Sequence, residues 1–81
     1  MSDTKTREYE IRVSNILKVF TDKYGRGADL VNINSQTIGS PTYNIMKTIL
    51  EQRSIAIEID DRVAVGQFMF VNRELAASNM L

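Results

Sequence analysis

The chain contains no cysteine, no histidine and no tryptophan. Without cysteine it has neither disulfides nor a thiolate nucleophile. Without histidine it lacks the side chain that most often acts as general base near neutral pH, and most transition-metal ligand sets with it. Neither sign of charge prevails, since ten Lys and Arg balance ten Asp and Glu. The basic surplus that marks many nucleic-acid binders is therefore missing. No stretch approaches the ~20 apolar residues that cross a bilayer. The opening Met-Ser-Asp-Thr-Lys-Thr-Arg-Glu is polar and charged, unlike a secretory signal. These absences predict a cytoplasmic protein with no membrane contact, no cofactor, no metal site and no catalytic residues.

What is present describes one small folded unit spanning residues 1–81. A charged fraction of 25% and a hydrophobic fraction of 43% are ordinary for a globular chain. At 81 residues the core is small, and such domains commonly need a disulfide, a metal or a partner subunit. With the first two excluded by composition, self-association is the expected stabiliser.

Residues 5–24 carry a helical period. Tyr9, Val13, Ile16, Leu17, Phe20 and Tyr24 fall within a roughly 100° sector. Ile11 lies almost opposite and is expected to be exposed, and Glu8 and Arg12 have the favourable i,i+4 order. Gly25 stands where a left-handed C-cap residue is wanted. Residues 29–34 alternate, with Val31 and Ile33 on one face and Asn32 and Asn34 on the other, which predicts a half-buried strand. Residues 35–39 read as a polar linker. Ser40-Pro41 then combines a hydroxyl cap with proline at the first helical position. The helix it opens shows Tyr43, Met46, Ile49 and Leu50 as its apolar stripe and ends near Arg53.

From Ser54 to Asp60, Ile55, Ile57 and Ile59 alternate with Ala56, Glu58 and Asp60. Asp60-Asp61-Arg62 suits a hairpin turn. Val63 to Val71 is apolar at both parities, as in a strand covered on both faces or one bulged at Gly66-Gln67. The bulge is favoured, and it places Val63, Val65, Phe68 and Phe70 on the core side. Asn72 can cap a short terminal helix. The prediction is an α+β two-layer sandwich in the order α-β-α-β-β-α. It has a three-stranded mixed sheet with both main helices on one face. A hairpin third strand inserted between the first two gives spatial order 1-3-2. The crossover joining the first two strands is expected to be right-handed.

Four groups of residues are candidates for function. Ile11, Val19, Met69 and Val71 are apolar positions that this architecture leaves without partners, and clustered exposed apolar residues mark interfaces. Ser40, Thr42 and Tyr43 open a helix whose free N–H groups suit an anion, and an ordinary cap is their plainer reading. Lys18, Lys23, Tyr24 and Arg26 form a weak basic spot that stacking on nucleic acid would use, while a helix C-terminus favours Lys and Arg in any case. Glu58, Asp60 and Asp61 are the nearest approach to a carboxylate cation site, and a solvated strand face with an aspartate turn is their plainer reading. The resulting expectation is a non-catalytic interaction or regulatory module that binds itself as a homodimer and an unidentified protein. The alternative is a small nucleic-acid or nucleotide binder using the helix start at Ser40 and the basic spot.

Overall fold

The computed structural model describes residues 2–79. Three helices and three strands follow one another as α1 (Ser2–Tyr24), β1 (Leu30–Ile33), a 3₁₀ turn (Ser35–Gly39), α2 (Pro41–Gln52), β2 (Ala56–Ile59), β3 (Met69–Val71) and α3 (Arg73–Asn79). The architecture is the two-layer α+β sandwich that the periodicities predict.

Both main helices lie on one face of the sheet. Val13 of α1 and Met46, Ile49 and Leu50 of α2 share a buried core with Val31 and Ile33 of β1 and with Ile55. Tyr9, Leu17, Tyr43, Ile57, Phe68 and Phe70 pack around it. The helix ends form as their residues dictate. The Ser40 hydroxyl accepts the Tyr43 N–H at 3.2 Å and donates to the Thr37 carbonyl at 2.8 Å. Gly25, at φ +73°, closes α1 with its N–H on the Thr21 carbonyl at 2.8 Å. Asn72 caps α3 by accepting the Leu75 N–H at 3.1 Å.

The strand order corrects the expected 1-3-2. β1 is central, with β2 parallel on one side and β3 antiparallel on the other. Leu30 pairs with both Ala56 and Val71, and Val31 with both Ile57 and Phe70. The aspartate turn forms without a hairpin. Asp60 accepts the Arg62 N–H at 3.0 Å and holds its guanidinium at 2.8–2.9 Å. The chain then bears away from β2, because residues beyond the end of β1 capture it. Asn34 donates to the Val63 carbonyl at 3.0 Å, the Ser35 N–H donates to Asp61 at 2.8 Å, and Thr37 accepts the Gly66 N–H at 2.9 Å. These bonds carry residues 60–68 across the end of the sheet, so β3 lands on the far edge of β1.

Three local expectations change with it. The bulged strand from Val63 is instead a loop with Gly66 at φ +86°, and only Met69–Val71 pair. Val63 is buried, yet Val65 is exposed and Phe68 and Phe70 are half-buried. The segment 35–39 is a 3₁₀ turn whose Thr37 is 1% exposed. Ile55, just before β2, is buried, while Ile57 is half-buried and Ile59 exposed, so burial falls along a row expected to be uniformly covered.

Candidate interaction surface

α1 is about 34 Å long at 1.5 Å per residue, and among its described side chains Val13 alone is fully buried. Tyr9, Leu17 and Phe20 are half-buried against the body. Ile16 and Tyr24, expected in the core stripe, are exposed. The reason is geometric: the short sheet and the 12 residues of α2 offer less apolar area than 23 residues of helix present. A helix that meets so little of the body keeps apolar side chains in water.

The exposed apolar residues of α1 spread around the helix, with Tyr24 nearly in line with Val13 and Ile11 about 80° from Val19. Ile11 is 56% exposed and Val19 65% exposed, as their helical phase predicts. Ile16, Val19, Phe20 and Tyr24 line a shallow cleft of about 360 Å³ with Asn15 and Lys23 on its rim. The Phe20 and Tyr24 rings pack at a 49° tilt with centroids 4.7 Å apart, and the Lys23 ammonium lies 5.3 Å from the Tyr24 ring centre. Arg12 lies 5.5 Å over the Tyr9 ring, and no ion pair joins it to Glu8 among the described residues.

The other two predicted interface residues lie elsewhere. Strand alternation puts Met69 and Val71 on the sheet face opposite Phe70, with Leu30, Asn32, Ala56 and Glu58. Met69 is 51% exposed and Val71 half-buried. Ile11 and Val19 therefore belong to the helical layer, and Met69 and Val71 to the sheet layer. They do not make one patch.

The predicted anion and basic sites take on structural work. Ser40 is engaged as donor and acceptor by its own helix start. Tyr43 packs on the core, and Thr42 lines a cleft with Tyr9, Arg12, Met46 and Phe68. Lys18 and Lys23 point about 140° apart around α1, and Arg26 pairs with Glu74 of α3. The basic residues are thus dispersed around the helix end.

The carboxylates separate too. Glu58 is exposed on the sheet face. Hydrogen bonds from the Arg62 side chain, then from its backbone N–H, hold Asp60 below the usual carboxylate range. The Ser35 N–H does the same for Asp61. Among the described residues no group of three or more acidic side chains is placed to hold a metal ion, and no helix is long and apolar enough to cross a membrane.

Sequence reasoning missed Thr37, the buried hydroxyl that anchors the 60–68 loop. Its one signal was its place in a segment polar enough to pass for a linker. No protein-family model, curated protein or solved structure matches the chain.

Proposed function

We propose that this protein is a non-catalytic interaction module that works as a homodimer. The observation that carries the reading is α1: one helix supplies Ile16, Val19 and Tyr24, all exposed, around a shallow apolar cleft, with Ile11 exposed apart from it. Contiguous exposed apolar surface of this kind marks a contact face. A domain of this size also gains stability from association, because folded monomer and dimer are linked by mass action. The same face serves a protein partner, since aromatic and aliphatic anchors ringed by charge are the usual composition of an interface centre. Nothing in the dispersal of Lys18, Lys23 and Arg26 favours the nucleic-acid alternative.

Light scattering across a hundredfold concentration range, alone and with bulk nucleic acid, tests the reading. A dimer whose mass is unaffected by nucleic acid supports it. A monomer at every concentration that gains mass only with nucleic acid overturns it.

A further inference from the structure

We propose that the protein partner of this face is an amphipathic helix with acidic residues at both ends of its apolar stripe; this rests on the reading of α1 as a contact surface. Three clefts join into one strip along α1. The shallow cleft at Val19 shares Ile16 with a second of about 370 Å³, where α1 meets Phe68 and Phe70. It shares Phe20 and Tyr24 with a third of about 160 Å³, where α1 meets Leu75, and Phe70 lines the second and third alike. The strip therefore follows α1 from Tyr9 to Tyr24, about 22 Å of helix. Its other wall is the chain from Phe68 to Leu75, and Phe68, Phe70 and Leu75 are all only half-buried.

The charge along the strip has one sign. The chain holds as many acidic as basic residues, yet among the described residues no Asp or Glu lines any of the three clefts. Arg12 lines the second and Lys23 the first. The two stand about three turns apart on one flank of α1, roughly 16 Å along its axis. Both are exposed, and neither takes part in an ion pair among the described residues. Arg12 lies over the Tyr9 ring and Lys23 over the Tyr24 ring. A ring is a neutral neighbour: it seats the cation beside the strip and leaves the positive charge uncompensated.

Length, lining and charge together choose the occupant. A helix laid along the strip repeats its apolar side chains every three or four positions, which sets them on Ile16, Val19 and Phe70 between the two cations. Carboxylates about three turns apart on that helix then reach Arg12 and Lys23. Opposite charges at the two ends fix where the helix lies along the strip and exclude a basic competitor.

Fluorescence anisotropy with two labelled helical peptides of about five turns tests the proposal. Both carry a leucine stripe; one has two glutamates three turns apart, and the other has lysines in their place. The glutamate peptide is expected to bind roughly tenfold more tightly or better, because two attractions replace two repulsions. Arg12→Glu/Lys23→Glu is expected to reverse the preference, with a thermal melt to verify folding, and Ile16→Ser to weaken both peptides. Equal affinities, tighter binding of the lysine peptide or no binding of either overturns the acidic-helix partner. So does a single-stranded oligonucleotide bound in preference to the glutamate peptide. Light scattering on the same protein keeps the homodimer separate: a dimer that binds neither peptide loses this partner alone. A monomer that binds the glutamate peptide loses the homodimer alone.

Discussion

The Thr37 hydroxyl accepts the backbone N–H of Gly66 at 2.9 Å across 29 positions of sequence. It is the buried end of a set of bonds that also ties Asn34 to Val63 and Ser35 to Asp61. Thr37→Val keeps the shape and removes the acceptor. It is expected to cost about 1–3 kcal/mol, the usual penalty for stranding a partly buried donor. Chemical denaturation measures it, and Thr37→Ser should retain most of the stability.

Ser54 closes α2 at φ +59°, a left-handed conformation that a side chain disfavours. Ser54→Gly should stabilise the protein by up to about 1 kcal/mol, since the relief of strain exceeds the extra freedom of glycine in the unfolded chain. The expected signature is a higher melting temperature.

Asp60 and Asp61 both titrate lower in the folded chain than the unfolded aspartate value of about 3.9. In acid the unfolded chain therefore binds protons first. Their stabilisation is complete above that value and is lost as pH falls through the folded pKa. Stability measured from pH 6 down to pH 2 should decline below about pH 4. Asp61→Asn should flatten that decline.

Core substitutions should separate the enclosed centre of the sheet from the loop that runs beside it. Ile33 is fully buried, and Ile33→Ala is expected to cost about 2–5 kcal/mol. Phe68 is only half-buried, so Phe68→Ala should fall below the ~3–5 kcal/mol of a fully enclosed ring. Equal losses in urea titrations would mean that the loop end is packed as tightly as the core.

Ile11→Asp should leave folding within about 0.5 kcal/mol of wild type, because the residue stands in water. It should weaken self-association, read as a lower scattering mass at a fixed concentration. A loss of folding would instead mean that this flank of α1 supports the monomer.

Local patterns were legible wherever the deciding forces were local. The Ser40-Pro41 start, the Gly25 stop, the Asn72 cap and the alternation around Val31 and Ile33 each depend on neighbours a few positions away. The exposure of Ile11 followed from helical phase alone. The strand order did not follow, because it depends on which edge of β1 receives the chain after Asp61. That choice is made by Asn34, Ser35 and Thr37, residues whose composition resembles any polar loop. Burial of Ile16, Tyr24 and Val65 was overestimated for a related reason. Periodicity reports which face is apolar, whereas the area available to cover it is set by the lengths of other elements. For the candidate surface, Ile11 and Val19 were visible as apolar residues out of phase. Their separation from Met69 and Val71 needed the layers themselves.

A sheet whose central strand is paired only with distant neighbours has a kinetic consequence. β1 finds β2 roughly 25 residues away and β3 roughly 40 away, so no turn between adjacent strands can seed the sheet, and loop closure precedes every ladder bond. Helical structure in α1 and α2 therefore forms first, on the sub-microsecond scale of local turns. The ladder to β3 further requires residues 60–68 to be held beyond the end of β1, the contact through which the last third of the chain acquires its place.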